Sequence, residues 1–136
     1  MKKINNLVII ESPYRGKGYE ETEINILYAQ ACIQDSLNRG EFPYASHLFF
    51  TQQGLLDDKN PKERTKGIMT GLEWGKMAST KVVYTDRGIS EGMQKGIDFS
   101  KEIGQEVIKR KLENYRLFLG NITSTDIERV QKQFIF

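Results

Sequence analysis

The sequence predicts an α/β protein built on a parallel sheet, and three observations carry that prediction. Leu7-Val8-Ile9-Ile10 is a continuous apolar run bounded by Asn5-Asn6 and by Ser12-Pro13, the mark of a strand buried on both faces. Val82-Val83-Tyr84 is a second such run, followed by a polar, glycine-punctuated turn and then a helical pattern. Across residues 7–108 the patterns alternate strand, helix, strand, helix, strand, helix, strand, an order that implies crossover connections and a parallel sheet.

Each element has its own signal. Residues 20–38 carry apolar side chains at Ile24, Leu27, Tyr28, Ala31, Cys32 and Leu37, a helical spacing, and Gly40 after Arg39 is a helix stop. A short strand is expected over residues 43–46, with the rest of residues 42–50 a loop. Residues 55–60 are polar and turn-like. Pro61 suits the first position of a helix capped by Asn60, and that helix is expected to run through Ile68, Met69, Leu72 and Trp74 to about Ala78. Gly67, Gly71 and Gly75 recur every fourth residue on one face, as close packing of helix on sheet requires. Residues 81–85 form the third strand, 91–103 the third helix and 106–108 the fourth strand. Residues 114–119 read as either strand or helix, and Ser124 or Thr125 begins a last helix. The architecture is therefore a three-layer Rossmann-like (flavodoxin-like) sheet of four to five parallel strands with helices on both faces. Residues 1–111 form one domain. Residues 112–136 form an extension packing on the body or on a neighbouring subunit, ending in apolar Phe134-Ile135-Phe136.

Composition excludes several classes. A chain of 136 residues with 28% charged and 38% hydrophobic residues is an ordinary globular domain. A net charge of +2 argues against a nucleic-acid duplex or an anionic membrane as partner. The basic clusters at residues 59–66 and 109–111 read as solvated faces. Met1-Lys2-Lys3 has the charge of a signal-peptide start, but the apolar run behind it is too short for one, and nothing reaches transmembrane length. The single cysteine, Cys32, lies in an apolar helical pattern and reads as a core thiol. A cytoplasmic location is expected.

The candidate site follows from where ligands bind such sheets, in the crevice outside the carboxyl ends of the strands. Ser12-Pro13-Tyr14-Arg15-Gly16-Lys17-Gly18 follows the first strand and offers an aromatic ring at Tyr14, a planar donor fork at Arg15 and close backbone approach at Gly16. Its spacing matches neither the P-loop nor the dinucleotide fingerprint, and a surface loop explains it equally well. His47, the sole histidine, is a general acid/base candidate or a structural hydrogen-bonding residue. No ligand cluster accompanies it, so neither a metal nor a cofactor is expected. Asp86 follows the third strand, as a hydroxyl acceptor for a ribose or as a cap of the turn, two roles that do not exclude each other. Gly88 and Ser90 follow in the turn, where Ser90 caps the next helix and its N–H groups suit phosphate.

These segments resemble the nucleoside 2-deoxyribosyltransferase-like superfamily, and within it a group of small phage and bacterial proteins of unassigned function. The resemblance spans residues 7–110 and rests on Ser12-Pro13-Tyr14, Asn25 with Tyr28-Ala29, Ala45-Ser46-His47, Gly71-Leu72-Glu73-Trp74-Gly75 and, above all, Tyr84 through Gly96. In the transferases a Gly-Met-Glu-Leu-Gly-like turn presents a glutamate that attacks the anomeric carbon. Here the turn reads Gly92-Met93-Gln94-Lys95-Gly96, so Gln94 stands at the nucleophile position, with Glu91 one helical turn earlier. A neutral amide neither attacks carbon well nor stabilises an oxocarbenium-like state. The resemblance implies Tyr14 at the base–sugar end of a pocket, Asp86 near the sugar, and Gly88, Ser90 and Met93 lining it, with Arg15 on a phosphate. It also implies a homo-oligomer in which a neighbour completes the pocket.

Three readings follow. The first is a nucleotide- or nucleoside-binding, phage-encoded protein that sequesters a nucleotide immune signal in a deoxyribosyltransferase-like crevice. The second is an active N-glycosidase or deoxyribosyltransferase using Glu91. The third is an interaction protein with a vestigial crevice. The partner expected first is a small-molecule nucleoside or nucleotide.

Overall fold

The computed structural model describes residues 4–134, with side chains from Asn6 onward, so the start at Met1 and the tail residues Ile135 and Phe136 lie outside the described residues. Four parallel strands make one sheet: β1 (Ile4–Glu11), β2 (Phe42–Tyr44), β3 (Ala78–Tyr84) and β4 (Glu106–Arg110), in the order β2-β1-β3-β4. The helices are α1 (Tyr19–Asn38), α2 (Ser46–Phe49), α3 (Pro61–Gly75), α4 (Glu91–Glu102), α5 (Tyr115–Gly120) and α6 (Ser124–Gln133). The architecture is the Rossmann-like α/β sheet that alternating apolar runs imply. No described helix is long and apolar enough to cross a membrane.

The boundaries shift where local chemistry outweighs the apolar pattern. β1 begins ahead of Asn6, whose φ of +67° marks an irregularity where the pairing with β3 changes register between Ile4 and Val8. Asparagine tolerates that left-handed backbone better than most residues. The stretch after β2 is not all loop, because Ser46 starts the short helix α2. α3 stops at Gly75, short of the expected Ala78, and Ala78 opens β3. Asn60 caps α3 as expected, its side chain accepting from the N–H groups of Lys62 and Glu63. The cap of α6 is Thr123, one residue before the expected serine, in a reciprocal box with Asp126. Residues 115–120 are helix.

Two cores divide the sheet's faces. Period-2 alternation sends Val8, Ile10, Val82 and Tyr84 to one face, where they pack with Ile26, Tyr28, Ala29 and Cys32 of α1. Val130 and Phe134 close this core, and an antiparallel bridge from Phe134 to Gln52 ties the last described residue to the body. Cys32 is fully buried, and burial pushes its thiol up, away from reactivity. On the other face Val83 packs with Met93 and Ile97 of α4.

The three glycines of α3 do permit close approach, though only one meets the sheet. A Cβ at Gly75 would lie 3.3 Å from Ile9 of β1. At Gly71 it would lie 2.3 Å from the Ser46 hydroxyl of α2, and at Gly67 3.3 Å from Leu56. α3 is thereby drawn down over α2 and the loop behind it.

Candidate functional site

From β1 the chain runs to β2 on one side and then crosses to β3 on the other, so the strand order reverses between β1 and β3. A cavity of about 360 Å³ opens beside that switch point, on the face carrying α3 and α4. Ile9, Phe50, Leu56 and Met93 give it apolar wall, while β1, α2, β3 and the start of α4 supply its polar groups.

Two of the polar groups that line the cavity form a buried ion pair. In register, Ile9 of β1 is opposite Lys81 of β3, and Glu11 opposite Val83. Glu11 and Lys81 therefore meet diagonally on the cavity face, Nζ to Oε2 at 3.4 Å. Lys81 is 3% exposed and also donates to the Gly96 carbonyl at 3.1 Å. Desolvation by burial raises Glu11 from the usual carboxylate range to about 7, against the opposing pull of the Lys81 charge. A carboxyl so poised changes protonation near neutral pH.

Beside it, Ser12 Oγ lies 2.8 Å from His47 Nε2. Burial lowers His47 to about 4, helped by the Lys81 charge, so the imidazole is held neutral at pH 7 and resists protonation. At the mouth, Asp58 is shared by two arginines, with Arg15 Nε at 3.3 Å and Arg64 Nε at 3.7 Å. The Arg15 guanidinium lies over the Tyr14 ring, 5.6 Å from its centroid. Tyr14 is itself buried on the cavity wall, with its carbonyl accepting from Asn25. Ser90 caps α4 by accepting from the Met93 N–H, and the Met93 sulfur accepts from the Ser90 N–H.

Six residues singled out from the sequence thus meet at this cavity: Tyr14, Arg15, His47, Ser90, Glu91 and Met93. The other four stand elsewhere. Asp86 Oδ2 accepts from the Tyr28 hydroxyl at 2.7 Å and the Leu112 N–H at 2.9 Å, binding α1 to the segment after β4. Gln94 is exposed and donates to Asp98 one turn along α4, off the cavity lining. Gly88 is exposed with φ +85°, serving the turn, and Gly16 packs on the first turn of α1, where a Cβ would lie 2.5 Å from that of Glu21.

Glu11, Lys81 and Arg64 were not singled out. A signal existed for the first two, since a lysine within one buried apolar run and a glutamate ending another are costly unless paired. Among the described residues no group of three or more His, Cys, Asp or Glu side chains is placed to hold a metal ion.

Fold and site together define a Rossmann-like α/β protein with a cavity of mixed apolar and polar lining at its switch point. Over residues 6–110 the chain matches the family described as a domain of unknown function, DUF7768, and it belongs to that family. No curated protein and no solved structure matches it significantly.

Proposed function

We propose that this cavity binds a nucleoside- or nucleotide-derived small molecule. The observation that carries the reading is the pairing, at the sheet's switch point, of an apolar wall with an arginine-bearing mouth. The wall of Ile9, Phe50, Leu56 and Met93, with the Tyr14 ring, suits a base or sugar. Arg15 and Arg64 share one carboxylate and retain donors for an anionic group, beside the first N–H groups of α4. The volume falls within the roughly 300–1,000 Å³ of small-molecule sites. The resemblance to the deoxyribosyltransferase-like superfamily agrees with this ligand class.

A second reading, cleavage or transfer at an N-glycosidic bond, is favoured by one observation: of the four carboxyl groups that line the cavity, Asp58 is held by the arginines and Glu63 accepts from the Asp57 N–H, which leaves Glu11 and Glu91 as candidates for chemistry. Gln94 takes no part in either reading.

The test is mass spectrometry of small molecules after incubating the protein with mixed nucleosides, nucleotides and cyclic ADP-ribose-type signals. An intact nucleotide released from the protein supports binding and a sequestering role. Free base in the pool supports the enzyme, and Glu91→Gln and Glu11→Gln then show which carboxyl turnover needs. Recovery of neither, with no thermal shift across the pool, overturns both readings. For a phosphorylated ligand, Arg64→Ala weakens binding about 10- to 150-fold and leaves the corresponding nucleoside unaffected, from the roughly 1.5–3 kcal/mol lost with a charged hydrogen bond.

A further inference from the structure

The cavity lining holds hydrogen-bonding capacity that the arginines at Asp58 do not explain. Lys81 Nζ has three N–H bonds and gives one to Glu11 Oε2 and one to the Gly96 carbonyl. Among the described residues the third has no acceptor, and Glu11 Oε1 accepts no hydrogen bond. Both side chains line the cavity.

Stability does not account for the pair. A buried ion pair is commonly no more stabilising than apolar side chains of its size, and the neighbours on this face, Ile9 and Val83, are apolar. The backbone of α4 is nevertheless shaped around it. A Cβ at Gly96 would fall 2.4 Å from Glu11 Oε2 and 3.1 Å from Lys81 Nζ, so only glycine lets the helix reach the pair without displacing it. β1, β3 and α4 thus converge to hold one donor and one acceptor side by side on the cavity lining.

We infer that the Glu11–Lys81 pair is the recognition point for the neutral part of the ligand, Glu11 Oε1 accepting from a ligand hydroxyl or amino group and the third Lys81 N–H donating to an adjacent ligand oxygen or nitrogen. This rests on the nucleotide reading above. The pair carries no net charge when ionised, so it selects a neutral donor–acceptor group and leaves the anionic end to Arg15 and Arg64. Two parts of a nucleotide have that chemistry: the vicinal diol of a ribose and the edge of a base.

The experiment is calorimetric titration of the four ribonucleoside 5′-monophosphates and their 2′-deoxy forms into the wild-type protein, Glu11→Gln and Lys81→Met. Thermal melting establishes that each variant is folded. For the base that binds best, both variants should lose tenfold or more in affinity. If the diol is read, the wild-type preference for ribose over deoxyribose collapses in Glu11→Gln. If the base edge is read, the ranking of bases collapses and the sugar preference stays. Wild-type affinities in both folded variants, or a uniform loss that leaves every ratio intact, overturn the inference while the nucleotide reading stands. Silence of the wild-type protein towards all eight probes overturns the nucleotide reading and this inference with it.

Discussion

The α1 face of the sheet and the cavity on its other face handle buried polar groups in opposite ways. On the α1 face they end on protein partners. The Tyr84 hydroxyl donates to Asp35 at 2.6 Å and accepts from Arg110 at 3.1 Å, while Arg110 forks onto Glu41 at 2.8 and 2.9 Å. The Tyr28 hydroxyl donates to Asp86. Burial and the aspartates beside them push both tyrosine hydroxyls up, Tyr84 against the opposing pull of Arg110, and Arg110 holds Glu41 below its usual range. On the α3/α4 face, Glu11 and Lys81 keep an acceptor and a donor facing a cavity. Satisfied polar networks hold a face together, whereas a donor and an acceptor left facing a cavity are what the proposed ligand would meet.

The sharpest way to break this comparison is to damage the closed face. Tyr28→Ala removes a fully buried ring that stacks edge-on with Tyr115, 5.6 Å between centroids, and leaves Asp86 without its hydroxyl donor. Urea unfolding should show a loss of about 3–5 kcal/mol. Gly71→Ala, at the back wall of the cavity, should cost about 1–3 kcal/mol, because the new methyl meets Ser46 Oγ at 2.3 Å and Cβ at 2.6 Å and α2 must move.

Titration sharpens the comparison further. Glu11 is raised to about 7, so its contribution to stability is full below its unfolded value of about 4.5 and is lost as pH rises through 7. His47 is lowered to about 4, so its contribution is present above about 6.5 and is lost as pH falls through 4. Between pH 4.5 and 6.5 the two oppose one another. Glu11→Gln should therefore gain stability on the wild-type protein as pH rises from 4.5 to 7, and His47→Gln should lose ground over pH 4 to 6.5. Parallel curves for wild type and both variants would show that neither group is perturbed. The smallest effect should come from replacing the ion pair itself. Glu11→Met combined with Lys81→Met should leave stability unchanged or raise it. A loss beyond about 1 kcal/mol would mean the pair is structural, like Arg110 with Glu41.

Much of the fold was legible because it rests on local rules. Val8 to Ile10 and Val82 to Tyr84 form buried apolar runs mid-sheet, and Asn60-Pro61 joins a capping side chain to a proline whose fixed φ suits a first helical turn. Boundaries slipped where neighbours decide them: Ala78 extends a helical pattern in sequence but pairs with Ile4 in the sheet. Within the site, Tyr14, Arg15, His47, Ser90, Glu91 and Met93 were legible from their places after strands and at a helix start. Asp86 had the right type and place for a ligand, yet Tyr28, 58 residues away, occupies it.

By itself, then, the sequence determined the class of fold, the parallel order of its elements and the loops that flank the crevice. Hydrophobic period, capping and turn chemistry act within a few residues and can be read there. The register of β1 against β3 brought Glu11 to Lys81, and the descent of α4 at Gly96 and of α3 at Gly71 enclosed the volume around them. Those outcomes depend on packing between segments distant in the chain, where a single residue's shift turns a side chain from one face of a strand to the other.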